Sequence, residues 1–213
     1  MEQIQGGVTA AKGFEAAGTA ANIKYKDRMD MALVYSSAPC RAAGTFTTNV
    51  VKAAPVLWDK QVVENSPYAQ AIVVNAGIAN ACTGKQGMDY CHEEAQTVSQ
   101  LLQIPENSVL VGSTGVIGMQ LPMERIKEGI RKLVSAKDST LEAGTTASKA
   151  IMTTDTVNKE IAVTIVLDGK TVTVGGMSKG SGMIHPNMCT MLAYITTDAA
   201  ISKTLLQEAL SNS

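Results

Sequence analysis

Short apolar runs rich in β-branched residues alternate along this chain with stretches whose apolar positions recur every three or four residues. The runs at 31–35, 70–75, 108–112, 160–167, 171–174 and 191–196 predict strands. In "VLDGKTV", Asp168-Gly169 separates two of them, the usual signal of a hairpin. The stretches 89–103, 122–136 and 201–210 predict helices. In the first, Cys91, Ala95, Val98, Leu101 and Leu102 share a face; in the second, Met123, Ile126, Ile130, Leu133 and Val134 do, with Pro122 suited to the first turn. The third carries Leu205, Leu206 and Leu210, and "TTASKA" at 145–150 predicts the start of a further helix that ends before "TTDT". With no clean repeat and no linker, the pattern predicts one compact unit of mixed α and β.

Composition narrows the function classes. The 213 residues are 45% hydrophobic and 17% charged, with a net charge of −1, so no general electrostatic pull on nucleic acid or acidic membranes is expected. Aromatic content of 4% argues against stacking platforms for single-stranded nucleic acid. Cys40, Cys82, Cys91 and Cys189 are scattered, and with only His92 and His185 beside them no metal site is expected. Reduced thiols in a cytoplasmic protein are the plainer reading. "MEQIQGGVTAAKGF" has no apolar h-region, and no apolar run approaches the length of a membrane span.

Three glycine-rich stretches follow predicted strands. In "VVNAGIANACTG" (73–84) the strand gives way to Asn75, Gly77, Asn80, Thr83 and Gly84. Glycine lets backbone approach a ligand and asparagine tolerates left-handed turns, so a ligand contact and a plain Asn/Gly loop are equally good readings. In "VGSTGVIG" (111–118) a strand is predicted to end at Gly112, with a turn through Ser113, Thr114 and Gly115. Backbone N–H groups in such a turn can cradle an anion, or the oxyanion of a transient intermediate, although on pattern alone a structural turn is the stronger reading. Neither this stretch nor "GGMSKGSG" fits GxGxxG or GxxxxGK[ST], which disfavours phosphate binding.

The third stretch is "GGMSKGSGMIHPNMCTMLAYITTDA" (175–199). Lys179 is expected in a glycine-rich loop, where its ammonium could meet a carboxylate; a solvated surface charge is the weaker alternative. "HPN" stiffens the chain before Cys189. Thr190 beside a predicted strand is most simply a strand residue. A threonine hydroxyl needs an adjacent base to act as a nucleophile, and the sequence suggests no Ser-His-Asp arrangement. Cleavage of the Cys189–Thr190 peptide bond would supply a base: a free α-amine, with a pKa of about 7.7–8.0, on the same residue as the hydroxyl.

Seven stretches together resemble the ornithine acetyltransferase (glutamate N-acetyltransferase) family of arginine biosynthesis. They are "GGVTAAKGFEAAG" (6–18), "GTFTTNVVKAAPV" (44–56), "VVNAGIANACTG" (73–84), "GSTGVIG" (112–118), "KAIMTTDT" (149–156), "VGGMSKGSGMIHPNMCTML" (174–192) and "TTDA" (196–199). The resemblance implies an α+β, αββα-type sandwich shared by two products of one self-cleaving precursor. It implies that Thr190 attacks the carbonyl before it, that an N→O acyl shift splits the chain, and that the new N-terminal Thr190 is the nucleophile. It implies Thr114 and Gly115 as the oxyanion hole, and Thr153 and Lys179, with Thr190, as substrate contacts; Thr154 stands beside Thr153 as the alternative. The family commonly has Ala where this chain has Cys189, and its asparagine loop differs at Ala76 and Ile78.

The implied reaction is ping-pong. N-acetylornithine acetylates Thr190 and ornithine leaves; glutamate then takes the acetyl group and leaves as N-acetylglutamate. No cofactor is expected, and acetyl-CoA stays open as a second acetyl donor. Two other readings keep the fold: an N-terminal-nucleophile aminopeptidase or amidase that passes the acyl group to water, and a non-catalytic module. On the resemblance, 1–189 is the amino-terminal fragment and 190–213 starts the carboxy-terminal one. The rest of that fragment is then expected as a partner, because a strand at 191–196 would otherwise have lost much of its sheet partner surface; the resemblance further implies that the fragment pairs assemble into a hetero-tetramer.

Overall fold

The computed structural model describes residues 1–181 and 191–213. Its strands form two four-stranded sheets. One sheet takes, in spatial order, β1 (Glu2–Ile4), β6 (Lys159–Leu167), β7 (Lys170–Lys179) and β8 (Leu192–Thr197), all antiparallel. The other takes β2 (Phe14–Thr19), β3 (Met31–Cys40), β4 (Ala69–Ile78) and β5 (Val109–Val116), antiparallel except for the parallel pair β4–β5. A parallel pair needs a crossover. Here it is α2 (Lys85–Leu102), which buries Tyr90, Cys91, Glu94, Ala95 and Val98 at helical spacing and ends at Gln103 in the left-handed conformation.

The alternation of side chains along β3, β4 and β5 splits the interior in two. Leu33, Val73, Val109 and Val111 face α1 (Ala54–Asn65), α2 and α3 (Met123–Ala136), meeting Cys91, Val98, Ile126, Ile130 and Leu133. Val34, Val74 and Ala32 point the other way, toward Met177 of β7 and toward Ala147 and Ala150 of α4 (Leu141–Ala150). The layers therefore run helix, sheet, sheet. Among the described residues no helix covers the outer face of the β1-β6-β7-β8 sheet, where Ile161 and Ile195 flank Gly176 in register and are 54% and 59% exposed.

β5 is the edge of its sheet, and α1 closes that edge with side chains in place of a strand. The Trp58 indole N–H donates to the Val109 carbonyl (2.9 Å), and the Asp59 carboxylate accepts from the Val111 N–H (2.8 Å). α5 (Lys203–Ser211) starts at an N-cap Ser202 and is tied to the rest of the chain by Gln207, whose amide bonds both the N–H and the carbonyl of Gly44. No described helix is long and apolar enough to cross a membrane.

The predicted strands and helices all occur, with different extents. The helix begun at 145–150 starts earlier, at Leu141, after the cap Thr140, and Pro122 stands at the N-cap of α3 instead of inside its first turn. β1, β2 and α1 were not indicated by the pattern. The larger correction concerns the glycine-rich stretches. Asn75 and Gly77 lie within β4, Thr114 and Gly115 within β5, and Gly175, Gly176 and Lys179 within β7, so none of these residues is in a loop. The ladders continue through the glycines because the partner strand deviates with them: Gly77 and Gly115 are register partners, both with positive φ (109° and 137°).

Candidate functional site

The parallel strands β4 and β5 end on the same side of their sheet, the place where open sheets of this kind bind ligands. A cleft of about 350 Å³ opens there. Its floor is Gly77, Thr114 and Gly115; β7 contributes Lys179, the connection after α4 contributes Thr153, and the loop between β2 and β3 contributes Lys24 and Arg28. At Gly115 a side chain is sterically barred, since a Cβ would lie 2.3 Å from the carbonyl carbon of Gly77.

Lys179 is 5% exposed, and its ammonium donates to the hydroxyls of Thr153 (2.6 Å) and Thr114 (3.3 Å). Burial lowers its pKa, with the charge of Asp155 opposing that shift and the charge of Lys159 adding to it. Thr153, not Thr154, is the threonine at this lysine; the Thr154 hydroxyl pairs with that of Ser181 (3.1 Å). Thr114, Thr153 and Lys179, far apart in sequence, thus meet within hydrogen-bond distance, and Gly115 follows in the chain. Cys189 and Thr190 lie outside the described residues.

Asp155 was not singled out from the sequence, yet it assembles this corner. Its carboxylate accepts from the Gly180 N–H (2.9 Å), the Thr153 N–H (3.3 Å) and the Lys159 ammonium (2.6 Å), binding the exit of β7 to the connection that carries Thr153. Burial alone would raise its pKa; these donors outweigh burial and hold it at about 2. The available signal was an aspartate two residues beyond a threonine in "TTDT", the spacing of a local side-chain-to-backbone turn.

The loop between β2 and β3 is held by Asp30, whose two carboxylate oxygens accept from the N–H groups of Ala21 and Ile23 (both 2.6 Å). Arg28 spends one guanidinium nitrogen on the carbonyls of Met152 and Thr153 (3.1 and 2.6 Å). The asparagine stretch, by contrast, is mostly occupied with its own structure. Asn80 donates to the Gly87 carbonyl, Thr83 donates to Asn80, and Asn75 donates to the Ile78 carbonyl. Among the described residues no group of His, Cys, Asp and Glu side chains is arranged to hold a metal ion.

The ArgJ family model matches residues 15–213. The arginine biosynthesis bifunctional protein ArgJ of Symbiobacterium thermophilum is 50% identical over 212 residues, which are 99% of this chain and 52% of that protein. The crystal structure of the arginine biosynthesis bifunctional protein ArgJ from Bacillus halodurans superposes with a TM-score of 0.83 at 42% identity, covering 89% of this chain and 97% of that one. Ornithine acetyltransferase of Mycobacterium tuberculosis, solved in complex with ornithine, gives a TM-score of 0.80 at 42% identity, with coverage of 88% and 96%. The chain spans about half the length of the full-length relatives it matches. On the match of the family model and of these relatives along nearly its whole length, the chain belongs to the ArgJ family.

Proposed function

We propose that this chain carries the nucleophile and the carboxylate-binding corner of an acetyltransferase that moves an acetyl group from N-acetylornithine to glutamate. The observation that carries the reading is the buried Lys179 ammonium, whose described hydrogen-bond partners are two neutral hydroxyls. A buried charge is costly unless it is paired, and both substrates bring an α-carboxylate. The neighbouring Thr153 hydroxyl would share that carboxylate.

Sequence distance bears on Thr190. Thr190 comes two residues before Leu192, which pairs with Lys179 at the start of β8, and this closeness in sequence supports Thr190 as the nucleophile. In the proposed maturation, the Thr190 hydroxyl adds to the Cys189 carbonyl, the peptide nitrogen leaves as the amine, and water releases the resulting ester. The freed amine then serves as base for the same hydroxyl. Acetyl transfer onto Thr190 expels ornithine, and attack by the α-amine of glutamate discharges the ester.

Each transfer passes through a tetrahedral oxyanion, for which the Thr114 hydroxyl and the Gly115 N–H are the proposed donors. Alternate residues of β5 turn their peptide groups away from β4, as Val109 and Val111 do toward α1. Gly115 has the same parity, which leaves its N–H available to a ligand. The second half of the precursor would complete the site.

Intact mass of the full-length protein under denaturing conditions tests the reading. The parent should appear as two fragments, the second beginning at Thr190 and gaining one acetyl group when N-acetylornithine is added. Glutamate should discharge that adduct. Thr190→Ala should remain one chain without adduct. Discharge at the same rate without glutamate would point to an amidase, and an unsplit parent chain that never acquires an acetyl group would end the proposal.

A further inference from the structure

A transferase of this kind must accept two side chains of opposite charge in turn: the ammonium of ornithine and the carboxylate of glutamate. The cleft is not neutral toward that choice. Among its described lining residues the cations are Lys24, Arg28 and Lys179, and the acid is Asp30. Three of these four are already engaged. Asp30 is spent on two backbone N–H groups, Arg28 on two carbonyls, and Lys179 sits at the deep end with Thr114 and Thr153.

Lys24 differs from the others. It is exposed at the rim; like Arg28 and Lys179, it forms no ion pair with a described carboxylate. Its ammonium lies 4.9 Å from the centre of the Tyr25 ring. Its stem starts beside the floor: a side chain at Gly77 would begin 3.1 Å from the Lys24 Cβ. Gly77 in turn backs directly on Gly115. The two lysines therefore flank the Thr114–Gly115 step, one deep and one at the rim.

On the proposed acetyl transfer, on which this rests, we infer that Lys24 selects the acyl acceptor by receiving the side-chain carboxylate of glutamate while Lys179 holds the α-carboxylate. The same charge repels the side-chain ammonium of ornithine, so it favours departure of the first product and entry of the second substrate. The contact with the Tyr25 ring keeps the ammonium at this rim, and the nearby Lys24 pulls the pKa of the Tyr25 hydroxyl down. Lys24 thus acts on which molecule enters and takes no part in the bond changes at Thr190.

Charge reversal separates this role from a structural one. In the full-length enzyme, kcat/KM is measured for glutamate against the acetylated enzyme and for N-acetylornithine against the free enzyme. Lys24→Gln should lower the glutamate value roughly three- to tenfold, the range of a partly exposed charge-assisted pair. Lys24→Glu should lower it further and raise the N-acetylornithine value, so the two substrates move in opposite directions. Lys24→Arg should retain the parent preference. Equal losses for both substrates, or no change in their ratio, would overturn the role of Lys24 while the parent still forms its acetyl adduct. A parent that forms no adduct would overturn the acetyl-transfer reading, and this inference with it.

Discussion

At the scale of single residues, Gly115 and Glu94 give the sharpest expectations. Gly115 combines a φ of 137° with backbone 2.3 Å from any added Cβ, whereas Gly118 has a φ of 80° with nothing within 4 Å. Gly115→Ala should therefore cost at least about 2 kcal/mol, and Gly118→Ala only about 1 kcal/mol, by denaturant unfolding. Equal costs would refute the close-packing argument. Glu94 on α2 is fully buried, and neither of its carboxylate oxygens has a hydrogen-bond partner among the described residues. Burial first, then the charge of Asp59 and that of Glu93, raises its pKa from 4.5 to about 8. Between these values the folded state keeps a proton that the unfolded chain has released, so stability falls as pH rises, by up to ~1.4 kcal/mol per pH unit for this group. Asp59, raised to about 8 by burial, acts in the same direction. Glu94→Gln should flatten the decline in urea stability between pH 5 and pH 8; an unaltered slope would assign the whole effect elsewhere.

Elements show where the sequence was informative. Strands with continuous β-branched runs and helices with one apolar stripe were legible, because burial on one face writes a period into the chain. α1 was not. It lies along a strand edge and uses Trp58 and Asp59 as hydrogen-bonding groups, so Leu57 is 46% exposed and no clean stripe forms. β2 was hidden because "FEAAGT" has alanine and glycine where α4 comes close: a Cβ on Gly18 would lie 2.6 Å from the Thr146 carbonyl oxygen. Motif resemblance named Thr114, Thr153 and Lys179, but only their hydrogen bonds show that they form one cluster. Asp155, which joins two elements and touches no ligand in the proposed mechanism, left only a weak trace. Its test follows from the join. Asp155→Ala should release Gly180 from the connection carrying Thr153 and slow self-cleavage by roughly tenfold, a loss of about 1.4 kcal/mol in orientation. Asp155→Asn should slow it less, because an acceptor oxygen remains. Cleavage at the parent rate in Asp155→Ala, followed by gel electrophoresis over time, would show that the anchor is dispensable.

The whole molecule is closed on one side and open on the other. The edge at β5 is sealed by α1, while β8 is a sheet edge and the face carrying Ile161 and Ile195 has no cover among the described residues. Apolar faces of this kind are covered in a finished assembly, and the second half of the precursor is the proposed cover. Ile195→Lys should weaken that association, with sedimentation showing separated halves, and should leave the helical layer folded by circular dichroism. Unchanged assembly would mean that the cover lies elsewhere. The pairing of β7 with β8 has a different kind of consequence. The two strands are joined through the segment containing Cys189 and Thr190, and they share register positions from Val174↔Thr197 to Lys179↔Leu192. Before a cut, this pairing is a contact within one molecule, and its formation does not depend on protein concentration. After a cut at Thr190 the same hydrogen bonds join two molecules, and mass action governs them. The matured enzyme should then melt at a temperature that rises with its concentration, whereas the uncut Thr190→Ala chain should not show this dependence through β7 and β8. Refolding would become second order at the moment of cleavage, so the protein would have to fold before it cuts itself, and dilution after unfolding would make the loss permanent.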